Sequence, residues 1–217
     1  MTALTDGMPT RIKVCGITRL EDAQLAIELG SWALGFNFYP PSPRYIAPAA
    51  ARAIIRRLPP LAMSVGVFAD ETDAAHILVL ARQVGVGAVQ LHGPRFPSLT
   101  EVAEAYPLIV AAAVREGFKL EDLHHLPGTA LLLDTFDPNL RGGTGRTFDW
   151  SMAREAKQHG PIILAGGLTP ENVAQAIREV RPFAVDVASG VESAPGIKDV
   201  VKVRAFFAAV AEADREL

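Results

Sequence analysis

The sequence predicts an α/β protein, a single-domain (β/α)8 TIM barrel over residues 11–217 behind a flexible N-terminal lead-in over residues 1–10. Three observations predict it. Short continuous apolar runs recur along the chain, of the kind needed by a sheet buried on both faces. Each is followed by a loop with Gly, Pro or Asp and then by an amphipathic stretch, the alternation of a parallel sheet covered by helices. About eight such units fill the 217 residues, and eight close most naturally into a barrel. The competitor is the open doubly wound sheet, which carries a Gly-rich fingerprint after its first strand. The motif after the first run here, CGITR, lacks that spacing.

The elements follow in order. Strand one is RIKVCGI (11–17); Thr18 is expected to cap the next helix, with Glu21 at capping-box spacing and Gly30 as the stop. Strand two (32–38) leads through the loop YPPSPRY to a helix over 48–58. Strand three (63–70) precedes a helix over 72–84, and strand four (88–93) a helix over 98–106. Strand five (108–114) is followed by a short helix near 120–126. Strand six (129–135) leads into the long loop FDPNLRGGTGRTF and a helix from Asp149 to Gly160. Strand seven is PIILAGG, and its helix opens at Thr169-Pro170-Glu171. Strand eight (183–190) and a final helix over 199–214 complete the series.

Composition narrows the function. A net charge of -3 and a pI near 6.0, with scattered basic residues, argue against a nucleic-acid partner, which calls for a basic face. Cys15 is the only cysteine, so no intrachain disulfide forms, and a reducing, cytoplasmic setting is expected. No apolar run reaches the roughly 20 residues of a membrane helix, and the first ten residues do not read as a signal peptide. No outer face shows an apolar seam, which leaves a monomer or a homodimer.

Barrel enzymes work at the C-terminal ends of their strands. That rule selects Cys15, Arg44, Asp70, Gln90, His92, Asp134, Gly166, Gly167, Asp186, Ser189 and Gly190. Each has a structural alternative. A lone cysteine is usually a small buried hydrophobe, and an aspartate after a strand is often a turn or cap residue. His92 and Gln90 would serve equally as polar groups of the rim and core. The glycines are more informative. Gly166-Gly167 beside a helix start, and Ser189-Gly190 after the next strand, fall where barrels bind phosphate through backbone N–H groups. RGGTGR (141–146) lacks the Lys-Ser/Thr ending of a P-loop and reads instead as an active-site loop.

Together KVCGIT, GFNFYPPSPRY, VGVF, VQLHG, LLLDT, GGTGRTFDW, LAGGL and DVASGVESAPGIKD resemble, in order, the successive motifs of the phosphoribosylanthranilate isomerase family, over about residues 11–207. The resemblance implies an Amadori rearrangement of N-(5-phosphoribosyl)anthranilate to 1-(2-carboxyphenylamino)-1-deoxyribulose 5-phosphate in tryptophan biosynthesis, with no metal and no organic cofactor. It implies Cys15 as general base and Asp134 as general acid. It also implies Arg44 at the anthranilate carboxylate, with Gln90 and His92 at the substrate and Gly166, Gly167, Ser189 and Gly190 at the phosphate. One departure is visible: many relatives carry a lysine in strand five, where this chain reads Val110-Ala111-Ala112-Ala113-Val114.

The chemistry asks for such a pair. One acid protonates the furanose oxygen so that the ring opens to a Schiff base; one base removes the C2 proton to give an enolamine. Asp134, ordinarily ionised with a pKa of about 3.9, would need an upward shift. Cys15, ordinarily about 8.5, would need a downward one, for which Lys13 on the same strand face is the candidate source. Related phosphate-binding barrels fit less well. Pentose-phosphate epimerases need metal-binding His and Asp residues on several strands, whereas His124 and His125 fall in or beside a short helix. Indole-glycerol-phosphate synthases need several strand-end lysines. The bifunctional histidine/tryptophan isomerases place an aspartate where Cys15 stands. A barrel that binds a phosphorylated ligand without turnover would not need Cys15 and Asp134.

Overall fold

In the computed structural model, which describes residues 8–93, 97–114, 130–134 and 150–217, the eight apolar runs pair in parallel and close into a barrel in chain order. The strands are β1 (Arg11–Val14), β2 (Ala33–Asn37), β3 (Met63–Ala69), β4 (Ala88–His92), β5 (Leu108–Ala113), β6 (Ala130–Asp134), β7 (Ile162–Ala165) and β8 (Ala184–Val187). The seam closes between β1 and β8, where Lys13 is the register partner of Asp186 and Val14 of Val187. The expected helix near 120–126, the loop after strand six with RGGTGR, and the residues Thr129, Thr135 and Asp149 lie outside the described residues.

Side-chain alternation along each strand builds two cores. Outward residues such as Leu34, Phe36, Leu91, Leu133 and Val185 form one cluster with the helices. A second cluster contains no helix residue: Ala33, Val65, Ala88, Ile109, Ala111, Ala130, Leu132, Ile163, Ala165 and Ala184 fill the inside of the barrel. Its many alanines leave room, and polar Lys13, Gln90 and Asp186 are buried at strand positions of the same parity.

The outer helices are α1 (Leu20–Glu28), α2 (Pro48–Ile55), α3 (Ala74–Val84), α4 (Leu99–Ala105), α5 (Ser151–Ala156), α6 (Val173–Val180) and α7 (Val200–Arg215). In α7 the buried residues Val203, Phe206, Phe207, Val210 and Ala213 recur at helical spacing and pack beside α6. Burying each phenylalanine there contributes roughly 1.5–3 kcal/mol. Asp73 and Asp199 cap α3 and α7 through their carboxylates, and α3 stops at Gly85 in the left-handed conformation, φ 84. Thr10 donates to Asp214, which ties the start of the barrel to its last helix. None of the described helices is long and apolar enough to cross a membrane.

Two helix starts differ from expectation. The Thr18 hydroxyl donates to the Gly196 carbonyl, and α1 begins only at Leu20, with Arg19 at its N-cap and no side-chain cap; Glu21 pairs with Arg19 rather than closing a capping box. Likewise Thr169 does not open α6. The Asn172 side chain accepts its N–H and donates to the Gly167 carbonyl, which holds 167–172 as a turn and delays the helix to Val173. After β8 the chain adds an unanticipated antiparallel hairpin of β9 (Glu192–Ala194) and β10 (Ile197–Lys198).

Candidate active site

The strand-end residues gather at one mouth of the barrel, because every strand runs the same way round it. Cys15 follows β1, and its N–H is held by the Val187 carbonyl of β8 at 2.8 Å. Asp134 ends β6, separated from β1 by β7 and β8 on the shorter way round. His92 ends β4, with Nε2 3.9 Å from the Asp134 carboxylate. The cysteine and the histidine–aspartate pair thus rise from different arcs of the rim. One turn deeper, Gln90 is buried, and its Oε1 has no hydrogen-bond partner among the described residues. An unsatisfied buried acceptor is costly, and an oxygen of this kind is suited to a ligand hydroxyl. Asp70, also a strand-end candidate, instead packs against Gly93: a Cβ there would lie 2.5 Å from its carboxylate oxygen.

Arg44 reaches the mouth from the loop after β2 and lies across Gly16, where a Cβ would come 2.6 Å from its Cδ. Its Nε and Nη2 form a two-pronged pair with Glu192, the shortest contact 2.8 Å. Glu192 also accepts from Lys198 at 2.8 Å, and Lys198 donates to the carbonyls of Cys15 at 2.6 Å and Ala188 at 3.2 Å. The loops after β1, β2 and β8 are thereby joined around one buried carboxylate. Burial alone would push Glu192 up, yet the hydrogen bonds from Arg44 and Lys198 bring its carboxyl below the ordinary value. Glu192 and Lys198 stand in the DVASGVESAPGIKD motif, but the strand-end rule passes over them; their signal was two opposite charges in a short segment outside any helix.

The glycine-rich turns after β7 and β8 adjoin. Gly190 packs on the Leu168 carbonyl so closely that a Cβ would lie 1.9 Å from the oxygen. Gly167 has open space where a side chain would project. Ser189 and Gly190 begin a 3-10 turn, whose leading N–H groups have no partner within the turn. This cluster of N–H groups suits an oxyanion, although the start of α6 is displaced from it.

The expected lowering of the Cys15 thiol is overturned. Burial pushes it above its ordinary value, and the pull of the Lys13 and Lys198 ammonium groups does not offset this. Asp186 adds to the effect of burial by opposing the thiolate. Among the described residues no three His, Cys, Asp or Glu side chains converge as metal ligands.

Residues 12–209 match the family model for N-(5'-phosphoribosyl)anthranilate (PRA) isomerase. The chain is 46% identical over 196 residues to the N-(5'-phosphoribosyl)anthranilate isomerase of Geobacter metallireducens, covering 90% of this chain and 96% of that one. It superposes with a TM-score of 0.82 on a phosphoribosyl anthranilate isomerase in complex with reduced 1-(o-carboxyphenylamino)-1-deoxyribulose 5-phosphate, at 42% identity over 94% of this chain and 99% of that one. Monomers generated from the dimeric phosphoribosylanthranilate isomerase of Thermotoga maritima give a TM-score of 0.79 at 40% identity, over 94% and 99% of the two chains. With the barrel and nearly the whole sequence in agreement, the chain belongs to the N-(5'-phosphoribosyl)anthranilate isomerase family and is an isomerase of tryptophan biosynthesis.

Proposed function

We propose that Asp134 and Cys15 are the acid and base of the rearrangement. Asp134 protonates the furanose oxygen, the C1–O bond opens, and the anilinic nitrogen forms the Schiff base. Cys15 then takes the C2 proton, and the enolamine relaxes to the ketone. The observation that carries this reading is that a thiol and a carboxyl rise from separate arcs of one rim. Arg44 meets the anthranilate carboxylate, Gln90 Oε1 accepts from a sugar hydroxyl, and His92 orients Asp134. The N–H groups of Gly166, Gly167, Ser189 and Gly190 hold the phosphate. No metal or organic cofactor takes part, and the enzyme works in the cytoplasm without a nucleic-acid partner. Cys15→Ala and Asp134→Asn are each expected to lower turnover by at least about 100-fold, read as loss of anthranilate-substrate fluorescence. Near-normal turnover in either variant removes that residue from the chemistry.

The enzyme works as a homodimer joined at the barrel end opposite the active site. A cavity of about 420 Å³ opens there, lined by Arg11, Trp32, Leu61 and Phe207 among others. Leu61 beside it is 96% exposed and Trp32 42%, an apolar exposure that association would bury. The Thermotoga maritima relative is dimeric. Sedimentation equilibrium is expected to give twice the chain mass; the mass of one chain at all concentrations would exclude it.

A further inference from the structure

Lys13 is among the largest fully buried side chains of the described residues, 1% exposed. An ammonium inside a barrel must be paired. Its Nζ sits 2.9 Å from Oδ1 of Asp186, the register partner across the β1–β8 seam. The same nitrogen also faces the thiol. A Cβ built on Gly35 of β2 would lie 2.7 Å from Cys15 Sγ and 3.2 Å from Lys13 Nζ. Sulfur and ammonium therefore converge on one small space, open only because residue 35 has no side chain.

We propose that Lys13, oriented by Asp186, is a positioning residue for Cys15: its charge reaches the sulfur through the gap at Gly35 and stabilises the thiolate that removes the C2 proton. The proposal rests on the reading of Cys15 as the base. The thiol proton leaves to solvent before substrate binds, and Lys13 keeps all of its own. The thiolate then takes the C2 proton, and the C2–H electron pair enters the enolamine. Burial works against the Lys13 charge, but Asp186 and Cys15 outweigh it and hold the ammonium above its ordinary value, so it stays charged throughout.

The charged groups around the sulfur are Lys13 and Asp186 from the barrel interior, Lys198 on the Cys15 carbonyl, and Arg44 across Gly16. Glu192 lies behind them, paired to both Arg44 and Lys198. Lys13 and Lys198 favour the thiolate; Asp186 opposes it.

A purely structural ion pair sealing the seam would have the same geometry, so the test reads the sulfur itself. Cys15 is the only cysteine, and iodoacetamide reports on it without background. Alkylation rate against pH is measured for the full chain and Lys13→Met, and again for Asp186→Asn and Lys13→Met/Asp186→Asn, a background in which loss of Lys13 leaves no carboxylate unpaired should Lys13→Met fail to fold. Folding is checked by circular dichroism. Loss of Lys13 is expected to raise the pH midpoint by about one unit or more within each background, with kcat/KM at neutral pH falling about tenfold in step. A midpoint that does not move on loss of Lys13 in either folded background overturns the proposal and leaves Lys13–Asp186 as a seam pair. Normal turnover in Cys15→Ala, with the midpoint still shifted, overturns instead the reading of Cys15 as the base.

Discussion

The two sides of the barrel mouth are built from different materials. On the side of β1, β2 and β8, five charged side chains interlock: Lys13 with Asp186, and Arg44 and Lys198 with Glu192. On the side of β4 to β6, among the described residues, the rim carries His92 and Asp134 over an interior of Ala111, Ala130 and Leu132. The comparison assigns a physical task to each side. A sulfur that must become an anion, against burial, is surrounded by fixed cations. A carboxyl that must hand a proton to a sugar oxygen has the His92 imidazole near it, beside a strand that carries Ala111, Ala112 and Ala113.

Perturbing the charged side should have the largest effect on stability. Glu192→Ala leaves Lys198, which is 1% exposed at its side chain, without its carboxylate. Breaking such a pair costs roughly 3–5 kcal/mol, to be read by urea unfolding. The variant should also lose part of the acid sensitivity of the parent. The Glu192 carboxyl is held below its ordinary value of 4.5, so its contribution is complete above that pH and disappears as pH falls through the lowered value. An unchanged acid limb would show that the Arg44–Glu192–Lys198 cluster is not a stabilising unit.

On the apolar side, Leu132→Ala should cost about 2–4 kcal/mol by opening a cavity inside the barrel. It should leave the pH dependence of Cys15 alkylation where it was. A shifted alkylation profile would mean that the two sides are coupled through the core and that the contrast between them is false. The smallest effect belongs to a residue of neither side. Asp73 accepts from the N–H groups of Ala75 at 2.9 Å and His76 at 3.2 Å, and Asp73→Ala should cost about 1 kcal/mol with turnover unchanged. A comparable loss of turnover would make the cap part of the catalytic mouth.

Most of the fold was legible because its signals are local. The apolar runs that became β3 and β4 needed no partner to be recognised, and alternation with helices implied closure of the sheet. Cys15, Asp134 and His92 were legible as residues at strand ends. The errors came where a local signal was satisfied by a distant group. Thr18 looked like a cap, but its hydroxyl is turned to the Gly196 carbonyl and Arg19 stands at the helix N-cap. Thr169 looked like a helix start until the side chain of Asn172 took its N–H. The Cys15 thiol looked lowered by its neighbour Lys13, but burial and Asp186, 171 positions along the chain, reverse the balance.

By itself the sequence determined the barrel class, the strand order and the residues available at the rim, since hydrophobic periodicity and loop chemistry act between near neighbours. Tertiary structure alone decided which charges meet. The pairing of Lys13 with Asp186, the joining of Arg44 and Lys198 by Glu192, and the opening that Gly35 leaves between sulfur and ammonium all arise from closing β8 onto β1. Electrostatic balance in a buried site depends on distances of a few ångströms between chain-remote groups, and only the closed barrel sets those distances.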